Sequence, residues 1–278
     1  MTTLHELLCD AETQLGGQRD DARLDAEVLL AFTLGKPRSH LHAWPEQVMD
    51  AAQVALFEAL VARRATGEPV AHLTGTREFW SLELSVTPDT LIPRPESELL
   101  VECALRCIPT DAALAIADLG TGSGAIALAI ARERPNCHVV ATDVSPAALT
   151  VARANAERHA IGNVAFRTGD WCAVLGDSRY AVIVSNPPYI RTDDPHLTEG
   201  DVRFEPRTAL TPGPDGLEAI RLIVAQAHVH LSPGGWLLLE HGYDQSTAVT
   251  ELLRAHGYHD VADHSDLAGH GRVAQGRR

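Results

Sequence analysis

The segment Leu114 to Arg132, LAIADLGTGSGAIALAIAR, limits the possible folds more than any other stretch of the chain. An apolar run ends at Asp118, glycines follow at 120, 122 and 124, and Ala125 to Arg132 reads as a helix. Glycine permits a tight turn there and lets another group approach the backbone without meeting a Cβ. The next apolar run ends in Asp143, about 20 residues beyond the loop, and Ser145-Pro146 read as the N-cap and first position of a further helix. In folds with this arrangement such a loop lies against a phosphate or nucleoside, and the carboxylate binds ribose hydroxyls.

The rest of the chain extends this unit. Strands are expected near 114–118, 137–142, 163–167, 180–185, 235–240, 258–263 and 271–275, with helices between most of them. That pattern predicts an α/β fold with a seven-stranded, mostly parallel sheet covered by helices on both faces. The first 65 or so residues carry no strand signal. Leu4, Leu7, Leu8, Ala11 and Leu15 follow helical spacing up to Gly16-Gly17, and a second helix spans Ala22 to Leu34 before Gly35. A third follows Pro45, with Val48, Ala52, Ala55, Ala59 and Leu60 as its apolar positions. Between these regions, EFWSLELSV alternates as a strand, and TPDTLIPRPESE is punctuated by proline. The division expected is a small all-helical domain over 1–68, a hairpin and proline-rich linker over 69–90, and the α/β domain over 91–278.

Composition narrows the partners. A formal net charge of −14 opposes attraction to nucleic-acid backbones or anionic membranes, which bind through Lys and Arg. The pair Arg63-Arg64 reads as the solvated end of a helix. No apolar run reaches the roughly 18 residues of a membrane span and no signal segment opens the chain, so the expected location is the cytoplasm. Five scattered cysteines fit a reducing compartment, and Cys103 and Cys107 read as small core residues rather than metal ligands.

A second punctuation mark stands at 185–189, where the apolar run YAVIV stops at Ser-Asn-Pro-Pro-Tyr. Neither Pro187 nor Pro188 can extend a central ladder, so the strand ends abruptly and presents Asn186, Tyr189 and bare carbonyls. Gly120, Gly122 and Ala125 also satisfy the dinucleotide pattern of nicotinamide enzymes, but an Asn-Pro-Pro-Tyr corner has no evident role in hydride transfer. A non-catalytic nucleoside-binding module is the other reading, disfavoured because both halves of a site are present.

In order, DLGTGSG, TDVS, GDW and SNPPYI resemble the motifs of class I S-adenosylmethionine-dependent methyltransferases that act on planar amino groups. RRATGEPVAHLTGTREFWSLELSV, LIPRPESELLVE, EPRTALTPGPDGLEAIRLI and DLAGHGRVAQGR narrow the likeness to the release factor glutamine methyltransferase family (HemK/PrmC), from about residue 63 to the end. The resemblance implies a Rossmann-like methyltransferase sheet. It implies that Gly120, Thr121, Gly122, Ser123 and Gly124 line the methionine and ribose part of S-adenosylmethionine, that Asp143 binds the ribose, and that Trp171 lies at the adenine. Asp170 is the alternative to Trp171 there. It also implies catalytic roles for Asn186, Pro187 and Tyr189, with Asn186 touching both cofactor and substrate, Pro188 completing the substrate wall, and S-adenosylhomocysteine as product. The implied substrate is the glutamine of the Gly-Gly-Gln motif in peptide chain release factors, modified at N5. A ribosomal-protein glutamine and an adenine-type amine of DNA or RNA are the alternatives. Direct nucleic-acid and membrane contacts are not expected, and a monomer is. The chain itself contains Gly16-Gly17-Gln18, read here as a helix stop followed by chance.

Overall fold

The structure is a computed structural model that describes residues 2–16 and 21–278; Gly17 and Gln18 of the Gly-Gly-Gln tripeptide lie outside the described residues. Contacts divide the chain into two compact units, Met1–Thr76 with Gly200–Phe204, and Arg77–Glu199 with Glu205–Arg278.

The first unit contains α1 (Leu4–Gln14), α2 (Ala22–Leu34), α3 (Arg38–Ala43), α4 (Ala51–Ala65) and α5 (Val70–Thr74). Helix α4 starts at a capping box, in which Asp50 accepts from Gln53 N and the Gln53 side chain returns to Asp50 N. That start sets its phase. Phe57, Leu60, Val61 and Arg64 face inward, whereas Ala52, Ala55 and Ala59 are exposed, so the apolar face differs from the one read off the alanines. Position 64 follows 57, 60 and 61 at helical spacing, and Arg64 is therefore buried rather than solvated. Its guanidinium meets Asp25 at 2.7 Å and Asp201 at 2.7 Å, which supplies the partners that a buried charge requires.

Next in the chain is a two-stranded hairpin, β1 (Thr76–Phe79) and β2 (Leu82–Ser85), which from Arg77 onward belongs to the second unit. Its turn residues Trp80 and Ser81 both have positive φ, 52° and 55°, in place of the Asn-Gly that would have announced it. Then follow α6 (Glu98–Cys107), β3 (Ala115–Leu119), α7 (Ala125–Glu133), β4 (His138–Asp143), α8 (Pro146–Arg158), β5 (Val164–Thr168), β6 (Tyr180–Ser185), α9 (Glu218–His230), β7 (Leu231–Glu240), α10 (Ser246–Ala255), β8 (His259–Ser265) and β9 (Gly271–Arg277). The strand order is β5-β4-β3-β6-β7-β9-β8. The pairs from β5 to β7 are parallel, and β9 runs antiparallel to both β7 and β8, so the expected seven-stranded, mostly parallel sheet is present.

Both faces of the sheet are apolar. Ile116, Val182, Val184 and Leu238 pack with residues of α6 and α7, while Ala117, Ile183, Leu237 and Leu239 pack with residues of α9 and α10. A chain that steps from β3 out to β5 and then returns to β6 on the other side of β3 leaves a crevice between β3 and β6. Ligands of open α/β sheets bind at such reversals, beyond the carboxyl ends of the strands. No helix among the described residues is long and apolar enough to cross a membrane.

Candidate active site

The crevice receives both motifs singled out in the sequence. Leu119 and Ser185 are paired across β3 and β6, and the Ser185 hydroxyl donates to the Leu119 carbonyl at 2.7 Å. The register therefore delivers Gly120 and Asn186 to the same end of the sheet. Gly120, Thr121, Gly122, Ser123 and Asn186 line one cleft, with Leu91, Pro93, Arg94 and Ser97 on its other wall. Larger cavities lie elsewhere, one of 360 Å³ beyond Tyr189 and one of 490 Å³ beside the first turn of α6. Neither contains the glycine loop or Asn186, so the chemistry, not the volume, selects the cleft.

The loop is held from below and from the side. Gly120, Gly122 and Gly124 have φ of 73°, 55° and 87°, a region that favours glycine. A Cβ on Gly120 would stand 3.1 Å from the Trp171 ring, which places that indole directly against the loop. Gly124 serves the packing instead, since a Cβ there would approach Ala152 and Leu128 at 3.2 Å and hold the two helices apart. Asp143 accepts from Gly122 N at 2.9 Å and from Ser145 N at 2.8 Å, which fixes its carboxylate beside the loop. Asp170 precedes the turn Trp171–Val174, whose first residue has a φ of 40°.

Two buried side chains, Asn155 and Asp118, underpin the loop. Asn155, fully buried in α8, donates to the carbonyls of Ser123 at 2.9 Å and Ser85 at 3.0 Å and accepts from Ser85 N at 2.7 Å. It ties the glycine loop to the hairpin. Asp118 accepts from the Thr121 hydroxyl at 2.6 Å, and burial, with the Asp143 charge adding to it, pushes its carboxyl up to about 7. The folded state then holds this proton to higher pH than the unfolded chain, so its contribution to stability is lost as pH rises from about 4 to about 7. Asp118→Asn should flatten that fall. Urea unfolding of both proteins between pH 5 and pH 7.5 checks it, and a stability difference that does not change with pH would contradict the assignment.

The Asn-Pro-Pro-Tyr corner is equally constrained. Pro187 is buried, and Asn186, Pro188 and Tyr189 are half-buried. The Tyr189 ring packs against the apolar cluster of α9 and α10, and its hydroxyl donates to Glu240 at 3.2 Å. Burial and the neighbouring Glu240 carboxylate push the phenol upward. The Tyr189 carbonyl accepts from Gln245 at 3.0 Å, and Ile190 N bonds the Leu210 carbonyl at 2.9 Å. The segment after the corner is thus tied down. Glu205, whose side chain is fully buried, accepts from Ile92 N at 2.8 Å and pairs with Arg94. Among the site residues expected from sequence, the structure gathers Gly120 to Ser123 and Asn186 in the cleft, sets Asp143 and Trp171 against the loop, and turns the Tyr189 hydroxyl toward Glu240. Glu240, at the end of an apolar strand beside the corner, is visible in the sequence as a lone carboxylate in WLLLEHG.

A seven-stranded sheet with the single strand β9 reversed, a glycine loop and an amide-bearing proline corner at its switch point place the protein among the class I methyltransferases. The fold agrees with a methyltransferase from Pyrococcus furiosus, at a TM-score of 0.54 and 20% identity over 78% of this chain and 96% of that one. Family models described as the PrmC N-terminal domain and the methyltransferase small domain match residues 6–75 and 96–200. The release factor glutamine methyltransferase of Coxiella burnetii is 49% identical over all of both chains, and that of Burkholderia pseudomallei is 55% identical over 91% of each. The chain belongs to the release factor glutamine methyltransferase family.

Proposed function

We propose that the protein methylates the N5 side-chain amide of the glutamine in the Gly-Gly-Gln motif of peptide chain release factors, using S-adenosylmethionine, as a monomer in the cytoplasm. The observation that carries this reading is the meeting of the glycine loop and Asn186 in one cleft at the β3/β6 switch point. Family membership selects glutamine over a nucleobase amine.

The residues fit a nucleoside cofactor. The position a Cβ would take on Gly122 is open, the Trp171 indole lies against Gly120, and the Asp143 carboxylate is fixed beside the loop while retaining lone pairs for hydroxyl donors. When bound, S-adenosylmethionine supplies a methyl group on a sulfonium, an electrophile strong enough for a weakly nucleophilic amide nitrogen.

The chain's part is alignment. The Asn186 side-chain oxygen and the Pro187 carbonyl each accept one N–H of the substrate amide, which fixes its plane and aims its lone pair. As positive charge develops on that nitrogen, the same acceptors bind it more tightly than they bound the neutral amide, and the difference lowers the barrier. The two prolines hold the carbonyls in place and offer no N–H to compete. Tyr189 adds the flat wall beyond them.

Purified protein incubated with methyl-labelled cofactor should label a release factor with an intact Gly-Gly-Gln and leave unlabelled one whose glutamine is replaced. Label appearing in DNA or RNA, or in the substituted release factor at the same rate, would overturn the reading.

A further inference from the structure

The orientation of an asparagine amide is decided by its hydrogen-bond network, and the network around Asn186 is built from residues far away in sequence. Asn186 Nδ2 donates to the Ser97 hydroxyl at 3.0 Å. Ser97 is buried in the turn that begins α6, beside Glu240, whose carboxyl is pushed up by burial and held down by the Ser97 and Tyr189 hydroxyls. Glu240 stands at the end of β7, one residue past the Ser185–Leu239 pair that joins β7 to β6. It is essentially fully buried, takes the Tyr189 hydroxyl at 3.2 Å on Oε1, and its Oε2 has no hydrogen-bond partner among the described residues.

Donor and acceptor capacities make this chain directional. A carboxylate can only accept, and a serine hydroxyl has one proton and two lone pairs. With the Ser97 proton drawn to Glu240, only lone pairs remain on the side facing Asn186. The asparagine must then turn its NH₂ toward Ser97, which leaves its oxygen for the substrate. Reversed, the amide would present N–H donors to a substrate nitrogen that itself carries N–H groups, and alignment would fail. Burial makes the arrangement consequential, because a mismatched polar contact there is not repaired by water.

We infer that Ser97 and Glu240 are positioning residues that select the acceptor orientation of Asn186, and that they act on methyl transfer through Asn186 alone. This rests on the acceptor role proposed above for Asn186. Loss of one orienting hydrogen bond predicts that Ser97→Ala lowers kcat about tenfold. Ser97→Thr, which keeps the hydroxyl, should stay within about twofold of the parent, and Glu240→Gln, whose amide can donate as well as accept, should fall at least as far as Ser97→Ala. Affinity for S-adenosylhomocysteine and KM for the release factor should remain within about twofold in Ser97→Ala, since neither bond is made to those ligands. Combined with Asn186→Ala, the Ser97→Ala change should have no further effect on kcat, because residues that act through one group are not additive.

Rates and calorimetric binding of these variants decide the matter. Parental kcat in Ser97→Ala, a proportional loss of cofactor affinity, or an additive effect in the double variant would each overturn the inference. If Asn186→Ala lost transfer while Ser97→Ala and Glu240→Gln did not, the positioning role alone would fail. Full activity in Asn186→Ala would instead remove the acceptor role beneath it.

Discussion

Asn186→Ala is expected to lower methyl transfer to a release factor by about 10²- to 10³-fold, the range found when one group that stabilises a transition-state charge is removed from a dry site. The size follows from where the interaction acts. An acceptor that binds a neutral amide modestly and a developing cation strongly contributes mainly at the transition state, so its removal appears in kcat more than in KM. Cofactor affinity should change far less, because the loop from Gly120 to Ser123 is held by Asp143 and Asn155, neither of which touches Asn186. Single-turnover rates with labelled cofactor, alongside calorimetric titration of S-adenosylhomocysteine, separate the two quantities. Transfer at near-parental rate would remove Asn186 from the mechanism.

Glu205→Ala should destabilise the protein by about 1.5–3 kcal/mol, the cost of leaving a buried N–H and a half-buried cation without their charged acceptor. Two donors lose their acceptor at once, the Ile92 N–H and the Arg94 guanidinium. Glu205→Gln keeps an acceptor for Ile92 and should lose less. Leu91, Pro93 and Arg94 line the catalytic cleft, so the same change should loosen one of its walls and reduce activity at temperatures where the fold persists. Urea unfolding of the parent and both variants reads the effect, and a loss below about 1 kcal/mol in Glu205→Ala would show that the pair is not a buried anchor.

Which parts of this protein are legible in its sequence follows from the range of the interactions. The strands from β3 to β7 are visible because each carries a short apolar run, and the switch point follows from the βαβ pattern, the glycine loop and the proline corner. The short helices α3 and α5 escape a sequence reading because Arg38–Ala43 and Val70–Thr74 are too brief to show a period. The apolar face of α4 is misleading because exposed alanines mimic a buried stripe. The turn at Trp80-Ser81 carries no glycine or asparagine, so its left-handed backbone leaves no local mark. In the site, Gly120 to Ser123, Asp143 and Asn186 announce themselves through spacing. Ser97, Asn155 and Glu205 do not, because each is placed by a partner 32 or more residues away, and Glu240 shows only as a lone carboxylate closing an apolar run.

The position of β9 between β7 and β8 has a consequence for how the protein comes into being. The strand latest in the described chain is an interior one, and β8, made before it, has no other neighbour in the sheet. While a ribosome is still making Gly271–Arg277, the apolar β7 presents an unpaired edge and β8 has nothing to pair with. The sheet cannot be completed from its amino-terminal side, and the pairings of β9 with β7 and β8 close last. During that interval the exposed edge is open to other chains, which makes this stage the one most prone to aggregation.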